Sequence, residues 1–354
     1  MIKILTFFDC YNYGAYLQAY ALHKFLIDNG LENEFINYRT KKSIKNELAN
    51  ELKPGAKNFV LYFKLLGKVL SFKLHQRKLK KTKPIHVSTA LKNETFDKVV
   101  IGSDQIWCYT QEWGGIDTTY FSDNIEAETI ISYAASLGPD NYNKQHPRSI
   151  LRLMKRFNHV SVRDYNTLHF AKLARPDDKK GPHLVLDPTL IYDFKNEIKT
   201  PTAKNYIVFY SDKLEPSAEV IATIKKVAKE RNLQIISLGK SYDWCDKNII
   251  ALSPFLWMGY MKNAAMIVTC MFHGLLFSVK FQREFMMFLN AHRKNKCLDF
   301  LNRIGLEDRV IEKPKDVVNL FNSSIDYKPV DSFLKTEMEY SQNFLISTLT
   351  DEYK

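Results

Sequence analysis

The sequence has few cysteines and no long apolar run. Its five cysteines, an odd number, lie far apart without a Cys-x-x-Cys pair. This spacing argues against a disulfide framework and against a cysteine-based zinc site. No apolar stretch approaches the roughly 18 to 20 residues of a membrane span, and residues 1–5 enter an apolar strand without a signal-peptide pattern. We therefore expect a cytoplasmic protein.

Acidic side chains are scarce in one segment. The net charge is +12, and residues 41–83 carry thirteen lysines and arginines against two glutamates. A helix in this segment would have an apolar face formed by Phe59, Tyr62, Phe63, Leu66, Val69 and Leu70, with Lys57, Lys64, Lys68 and Ser71 towards the other face. Such a helix is typical of contact with an anionic membrane surface, and equally of a solvated cap on a domain. No nucleic-acid-binding motif accompanies the charge, so we expect no nucleic-acid partner.

The length of 354 residues fits two domains. In the first, apolar strands are predicted at residues 2–8, 35–38, 96–102, 129–135, 159–162 and 184–186. A helical stripe from Leu17 to Leu26 lies between the first two, and this alternation predicts a doubly wound α/β domain. Five of the strands finish on polar residues, which should converge on one crevice at the carboxyl edge of the sheet.

A second alternation of strands and helices follows residue 205. Strands are predicted at 206–210 and 234–238, and helices at 218–230, 254–263, 296–305 and 314–322. We expect an N-terminal domain at 1–192 that includes the basic segment 41–83, a linker at 193–204, and a C-terminal domain at 205–330. Residues 331–354 are predicted to form a helix that packs back on the first domain.

Residues 264–289 predict the clearest ligand-binding unit of the second domain. A buried strand at 266–270 is followed by the turn 271–274, a helix at 275–281 and another strand at 285–289. The turn therefore lies at the carboxyl end of a strand and the amino end of a helix, where backbone N–H groups favour an anion. His273 can add a charge or a proton there, and Gly274 permits a tight turn and close approach of a ligand. A hydrogen-bonded structural turn is the alternative.

Several of these strand-end motifs resemble those of the polysaccharide pyruvyl transferase family. They occur in the family's order over roughly residues 2–312, and they are Asn-Tyr-Gly-Ala-Tyr-Leu-Gln-Ala-Tyr at 12–20, Gly-Ser-Asp-Gln-Ile-Trp at 102–107, Tyr-Ala-Ala-Ser-Leu-Gly at 133–138, Ser-Val-Arg-Asp at 161–164, Asp-Pro-Thr-Leu at 187–190 and Phe-His-Gly at 272–274. An ending similar to the family's stands at 302–309.

The resemblance implies an α/β fold similar to GT-B, with two Rossmann-like domains facing across a cleft. It also implies transfer of pyruvate from phosphoenolpyruvate to two hydroxyls of one sugar. The product would be a cyclic ketal on a capsular or other cell-surface polysaccharide, or on its lipid-linked precursor. Phosphoenolpyruvate would be a co-substrate, and neither a metal nor an organic cofactor is expected.

The resemblance assigns donor binding to His273 and to Arg163. A donor with a phosphate and a carboxylate needs several converging cations, and Arg293, Lys294 and Lys296 are further candidates. Solvent-facing charges after a strand are the alternative for all three. His273 is the predicted acid towards phosphate, because its charge can change near neutral pH. Asp104 or Asp9 is the predicted base for a sugar hydroxyl.

Polar residues at or near the strand ends of the first domain are predicted to bind the acceptor sugar. They are Asp9, Asn12, Gln18, Asp104 and Gln105, and Trp107 offers an apolar face to a sugar ring. A core position for Trp107 and a purely backbone-bonded role for Gln18 are the structural alternatives. Asp187, before Pro188, is typical of a turn or helix cap.

One departure from the family pattern concerns Met271, because some members place an arginine two positions before the histidine. Its absence removes a bidentate partner for an anion. Two other functions therefore stay open, a glycosyltransferase with a nucleotide-sugar donor and a non-catalytic glycan-binding relative. The basic segment 41–83 predicts an acceptor met at the inner face of the cell membrane, with the protein bound peripherally.

Overall fold

A computed structural model of the protein describes residues 1–52, 59–109 and 117–350, with the backbone alone at 291–293. The chain divides into two compact units. Unit 1 contains the described residues of 1–55, 74–193 and 334–354, and unit 2 those of 56–73 and 194–333.

The sheet of unit 1 has six strands in the order β2-β1-β3-β4-β5-β6, and every neighbouring pair is parallel. Their bounds are β1 (Ile2–Leu5), β2 (Asn33–Phe35), β3 (Thr95–Ile101), β4 (Glu126–Ala135), β5 (His159–Val162) and β6 (His183–Leu184). Parallel strands covered by helices on both faces are apolar along their whole length. The last six residues of β4, for example, are all buried.

The helices of unit 1 connect its strands. They are α1 (Tyr13–Asp28), α2 (Lys41–Leu52), the end of α3 (Phe59–Gln76), α4 (Arg148–Met154), α5 (Tyr165–Ala174) and α6 (Pro188–Ile191), with short 3₁₀ turns at Ser88–Asn93 and Thr118–Phe121. α1 begins where the Asn12 side chain accepts a hydrogen bond from Ala15 N–H, an N-cap that satisfies one unpaired donor of the first turn.

Unit 2 has a five-stranded parallel sheet in the order β11-β10-β7-β8-β9. The strands are β7 (Tyr206–Tyr210), β8 (Gln234–Leu238), β9 (Lys247–Ile249), β10 (Met266–Thr269) and β11 (Phe285–Met287). The helices are α7 (Ala218–Glu230), α8 (Pro254–Lys262), α9 (Phe272–Lys280), α10 (Ala291–Arg303) and α11 (Pro314–Phe321), with a 3₁₀ turn at Glu307–Arg309. The predicted helix 218–230 and strand 234–238 are confirmed residue for residue.

A long helix, α12 (Tyr327–Leu349), ends the described chain. Its residues from Leu334 onward belong to unit 1, where the Ser341 hydroxyl accepts a hydrogen bond from Leu186 N–H at 2.8 Å. Lys98 of β3 donates to the Leu349 carbonyl at the helix's end, at 2.7 Å. The helix thus lies against the carboxyl end of β6.

The unit boundaries differ from the predicted domains in two places. Residues 59–73 of the basic segment belong to unit 2, whereas the sequence predicted the whole segment in the N-terminal domain. The predicted linker 193–204 is part of unit 2 from Phe194 onward. Phe194 is fully buried and its ring contacts Phe277 at 5.8 Å, so packing holds the residue in the unit's interior.

Helix α3 packs on unit 2 through the side that carries Lys68 and Ser71. Lys68 is buried and donates from Nζ to the Gly239 carbonyl at 3.3 Å, and Ser71 donates to the Leu252 carbonyl at 3.2 Å. Phe59 and Phe63 are exposed instead. Lys68 and Ser71, which the sequence places opposite the apolar face, therefore carry hydrogen bonds into unit 2. No helix among the described residues is long and apolar enough to cross a membrane.

Candidate functional site

Each sheet has one topological switch point, where the order of its strands reverses. In unit 1 it lies between β1 and β3, because the chain proceeds to β2 on one side and to β3–β6 on the other. In unit 2 it lies between β7 and β10. Open α/β sheets bind ligands at such points, just outside the carboxyl ends of the strands. The residues that follow β1 and β3, and those that follow β10, are therefore the candidates.

The backbone after β3 brings Asp104 to the switch point of unit 1. Gly102 has a φ of +134°, and a Cβ atom there would lie 2.2 Å from the Tyr133 carbonyl oxygen, so only glycine fits. Ser103 follows through a cis peptide bond, and its carbonyl accepts a hydrogen bond from the Thr6 hydroxyl at 2.9 Å. Asp104 has a φ of +81°, a left-handed conformation that costs energy for a side chain other than glycine.

Arg163, directly after β5, donates hydrogen bonds to two carboxylates. Its Nη1 donates to Asp187 Oδ2 at 2.6 Å and its Nη2 to Asp104 Oδ1 at 2.9 Å. The side chains of Arg163 and Asp187 are each 1% exposed, whereas that of Asp104 is 15% exposed. Burial works against the charged guanidinium, but the carboxylates of Asp104 and Asp187 outweigh it and raise the pKa of Arg163. Asp104 is thus the accessible end of a buried ionic chain.

The donor-binding role predicted for Arg163 stays a prediction, and this arrangement argues against it. Both terminal nitrogens of its guanidinium bind carboxylates, and the side chain lies in the interior of unit 1. The buried Asp164 next to it adds a further carboxylate. A phosphate or carboxylate ligand would meet acidic groups here, so we assign Arg163 the role of positioning Asp104.

A second ionic cluster lies after β1. Arg39 donates from Nη1 to Asp9 Oδ1 at 3.4 Å and from Nη2 to Glu47 Oε2 at 2.5 Å. Burial raises the pKa of Asp9, although Arg39 opposes the shift. Sequence reasoning missed Arg39 and Glu47. Arg39 directly follows the predicted strand 35–38, so the same strand-end rule could have found it.

Carboxylates of both ionic clusters affect the pKa of the Cys10 thiol. Burial raises the pKa of the Cys10 thiol well above its usual range, and the carboxylates of Glu47, Asp9 and Asp104 add to the shift. A thiol held in its neutral form is a poor nucleophile. Burial and these carboxylates therefore disfavour the thiolate form of Cys10.

The other predicted acceptor-binding residues separate into exposed and buried ones. Asn12 is exposed at the start of α1, and Gln105 is half-buried beside Gly138. Gln18 is fully buried, and its amide donates to the Thr6 hydroxyl at 3.1 Å and to the backbone carbonyls of Phe7 and Ala15. The acceptor-binding role predicted for Gln18 is therefore corrected, because its amide holds the turn after β1 in place.

The sugar-binding role predicted for Trp107 is also corrected. Its side chain is fully buried, its ring stacks on Phe121 at 5.9 Å, and its indole Nε1 donates to the Tyr120 carbonyl at 2.9 Å. A sugar ring cannot reach either face. Trp107 belongs to the hydrophobic core of unit 1 and fixes the loop that carries Asp104 and Gln105.

The switch point of unit 2 is built around Thr269, the last residue of β10. Its hydroxyl donates to the Tyr210 carbonyl of β7 at 2.7 Å and accepts from Met271 N–H at 3.0 Å. A Cβ atom on Gly274 would lie 2.3 Å from this hydroxyl. Glycine is therefore required for the close packing of α9 on β10. A ligand contact through the Gly274 N–H stays a prediction.

His273 lies in the first turn of α9, which begins at Phe272 rather than at the predicted residue 275. No side chain caps this helix, so its amino end offers backbone N–H groups and the positive end of the helix dipole. His273 is 8% exposed, and its ring centroid lies 5.8 Å from that of Phe272. An imidazole and a helix amino end thus lie together after β10.

Lys296 of α10 adds a cation to the same neighbourhood. Its Nζ lies 5.8 Å from the centroid of the Phe272 ring, and the residue is 9% exposed. The alternative of a solvent-facing charge is therefore wrong for Lys296, whereas Lys294 is exposed. The side chain of Arg293 lies outside the described residues. His273 and Lys296 both border Phe272, an arrangement that suits an anion.

Met271 packs against the hydrophobic core of unit 2. The position two residues before His273 therefore carries an apolar contact in this chain, where some family members have an arginine. In the part of the chain that the structure describes, no group of three or more histidine, cysteine, aspartate or glutamate side chains is placed to hold a metal ion.

Two parallel sheets, each wound in both directions from its switch point, define an α/β protein of the GT-B class. Solved structures support this class. A Listeria monocytogenes protein assigned as a UDP-N-acetylglucosamine 2-epimerase is 9% identical, with a TM-score of 0.57 over 100% of this chain and 96% of that one. The Rickettsia bellii enzyme of that name is 10% identical, with a TM-score of 0.54 over 99% and 95%. At this identity the similarity establishes the fold alone.

Sequence comparison gives the family. The chain belongs to the polysaccharide pyruvyl transferase family, whose model matches residues 12–292. The predicted resemblance is thereby confirmed, and the protein falls among transferases of polysaccharide biosynthesis. The match includes Asp104 and His273, but it begins after β1 and Asp9 and ends before Lys296. A search of curated proteins found no match.

Proposed function

We propose that the protein transfers the pyruvyl group of phosphoenolpyruvate to two hydroxyls of one sugar and releases inorganic phosphate. The acceptor sugar belongs to a cell-surface polysaccharide, such as a capsule or exopolysaccharide, or to its lipid-linked precursor. One observation carries the proposal within the family. His273 and Lys296 border Phe272 at the uncapped amino end of α9, at the switch point of a Rossmann-like sheet.

The donor is small and carries a phosphate and a carboxylate. A helix amino end offers several N–H groups to a phosphate, and an ammonium such as that of Lys296 adds a point charge. The low exposure of His273 and Lys296 strengthens these electrostatic interactions, because little water screens them. We therefore propose unit 2 as the donor-binding unit.

The reaction forms two C–O bonds and breaks one. A proton reaches the methylene carbon of the enol, which becomes a methyl group, and the first sugar hydroxyl attacks the adjacent carbon. The second hydroxyl then attacks the same carbon and displaces phosphate. The two hydroxyl protons balance the proton taken up by carbon and the one taken by the leaving phosphate. Neither a metal nor an organic cofactor is needed.

His273 is the proposed acid that protonates the departing phosphate, because it lies at the proposed phosphate site and imidazole exchanges protons near neutral pH. Asp104 is the proposed base for a sugar hydroxyl. Its carboxylate is the accessible end of the chain from Asp187 through Arg163, which fixes its direction. Asp9, Asn12 and Gln105 are proposed to bind other hydroxyls of the acceptor.

The test is a reaction of the protein with phosphoenolpyruvate and a panel of lipid-linked sugars, followed by mass spectrometry. We expect a product heavier by one pyruvyl ketal and an equal amount of inorganic phosphate. Release of a nucleoside diphosphate from a nucleotide sugar would indicate a glycosyltransferase instead. Binding of a glycan without any stabilisation by phosphoenolpyruvate would indicate a non-catalytic relative.

The roles of the two units are separated by Asp104→Asn. This change should reduce transfer by about 10²–10⁴-fold, as expected for loss of a general base. The rise in melting temperature caused by phosphoenolpyruvate should stay at the wild-type value, because Asp104 belongs to unit 1. Asp177→Asn, an exposed aspartate of the same unit, is the matched control. Equal transfer by both variants would remove Asp104 from the mechanism.

A further inference from the structure

Helix α3 carries large apolar side chains on its exposed side. The exposed fractions are 79% for Phe59, 64% for Phe63, 60% for Leu70 and 57% for Leu74. Scattered apolar residues on a surface are ordinary, but a contiguous apolar strip is typical of an interaction site. The strip is therefore a candidate for contact with a partner.

The opposite face explains why this strip points outward. Leu65, Val69 and Phe72 are buried, and Lys68 and Ser71 donate hydrogen bonds to backbone carbonyls of unit 2. These contacts fix the rotation of the helix about its axis. The exposed strip is therefore part of the folded arrangement rather than a side of the helix that happens to be loosely packed.

The strip is straight and extends along most of the helix. At 3.6 residues per turn, Phe59, Phe63, Leu70 and Leu74 fall within an arc of about 60° and extend over roughly 22 Å of helix. An apolar strip of this width and length can sink into the boundary between lipid headgroups and acyl chains while its helix lies parallel to the surface.

Positive charge flanks the strip without any acidic residue. The sequence from residue 59 to residue 93 contains no aspartate or glutamate. Exposed cations on α3 and directly after it are Lys64, Lys73, Arg77, Lys78 and Lys80. Cations close to a membrane are attracted by anionic lipid headgroups, by about 1 kcal/mol for each.

We infer that α3 binds an anionic membrane surface, with Phe59, Phe63, Leu70 and Leu74 inserted between the headgroups and the lysines in contact with lipid phosphates. A nucleic acid would match the charges but not the apolar strip. If the acceptor is lipid-linked, as proposed, the contact brings the protein to the surface at which that sugar is presented. The inference does not depend on the proposed function, since vesicle binding is measured without either substrate.

The test is co-sedimentation of the full chain with vesicles. Vesicles of phosphatidylglycerol and phosphatidylcholine should bind it, and pure phosphatidylcholine vesicles should bind far less. The double variant Phe63→Ser/Leu70→Ser should lower the partition coefficient by about tenfold or more. Lys64→Gln/Lys73→Gln should lower it and weaken its dependence on salt.

The matched control is Leu173→Ser/Val318→Ser, which removes two apolar side chains with exposed fractions of 50% and 42% from other helices. This control should bind vesicles as the wild type does. Equal binding by Phe63→Ser/Leu70→Ser and the wild type would overturn the inference. Light scattering that shows a dimeric wild type and a monomeric Phe63→Ser/Leu70→Ser variant would also overturn it, because the strip would then contact a second copy of the chain.

Discussion

The two switch points have the same topology but opposite charge. In unit 1, Arg163 binds the carboxylates of Asp104 and Asp187, and Arg39 binds those of Asp9 and Glu47. Each cluster has two carboxylates for one guanidinium. In unit 2, the corresponding position has His273 and Lys296 beside an uncapped helix.

This difference supports the proposed assignment of the two substrates. An anionic donor is attracted to the cationic switch point and repelled by the acidic one. Sugar hydroxyls suit the acidic switch point, because carboxylates accept hydrogen bonds from them and can remove a proton. The same sheet topology can thus serve two substrates through the residues at its strand ends.

The largest effect is expected for His273→Ala. Loss of the acid for the departing phosphate should lower transfer by about 10²–10⁴-fold. A phosphate-release assay with saturating acceptor measures the effect. His169→Ala, an exposed histidine on α5, is the control. Near wild-type transfer by His273→Ala would remove the residue from the mechanism.

Arg163→Ala should act on stability, because it leaves Asp187 buried without its ionic partner. Removal of one member of a buried ion pair typically costs about 3–5 kcal/mol of the free energy of unfolding. Urea unfolding of unit 1 measures the loss, and Arg152→Ala on the exposed side of α4 should change little. Folded Arg163→Ala protein should still bind phosphoenolpyruvate. A loss of that binding at unchanged stability would restore the donor-binding role first predicted.

Gly274→Ala tests the packing that places α9. The added methyl group would lie 2.3 Å from the Thr269 hydroxyl, so the helix and strand must separate. Overpacking of this kind usually costs about 1–3 kcal/mol of stability. Phosphoenolpyruvate binding should weaken along with it, as measured by calorimetry. The double variant Gly274→Ala/Thr269→Ala removes the clash and should recover much of the stability and of the phosphoenolpyruvate affinity.

Lys296→Gln should mainly weaken donor affinity. Loss of one charge-assisted contact is expected to raise the Kd for phosphoenolpyruvate by roughly tenfold or more. Lys262→Gln, an exposed lysine at the end of α8, is the control. An unchanged Kd for Lys296→Gln would show that the cation serves only its contact with Phe272.

The smallest effect concerns the pH dependence of unit 1. Burial lowers the pKa of His183, which hydrogen-bonds to Tyr340 of α12 at 2.5 Å. Its stabilising contribution is therefore complete above the unfolded value near 6.5 and is lost as pH falls through the lower folded value. Between pH 7.5 and 5.5 the wild type should lose more stability than His183→Gln. Parallel losses in both would contradict this.

The sequence predicted the architecture well because hydrophobic periodicity reports it directly. The strand 159–162 and the helix 218–230 appear with the predicted bounds. The GT-B class and the family are confirmed as well, because several short motifs in a fixed order are specific even where each alone is weak. His273 and Lys296 were chosen because both follow strands of the unit that the pattern defined, and their roles stay predictions.

The sequence could not predict the role of a residue where burial or the choice of a distant partner determined it. Arg163 was predicted to bind the donor, since nothing local reveals that Asp104 and Asp187, far apart in the chain, lie beside it. The sequence allowed Trp107 either to face a sugar or to lie in the core. It lies in the core, because Tyr120 and Phe121 pack there. For helix α3 the pattern left a membrane contact and a solvated cap open, and nothing local showed that Lys68 would be buried.

Hydrogen–deuterium exchange with and without phosphoenolpyruvate tests the assignment of the donor most directly. The account predicts that the donor slows exchange of the amides at the start of α9, from residue 271 to residue 278, and leaves residues 102–109 and 163–167 unchanged. Slower exchange confined to residues 102–109 and 163–167 would place the donor on unit 1 and contradict the account.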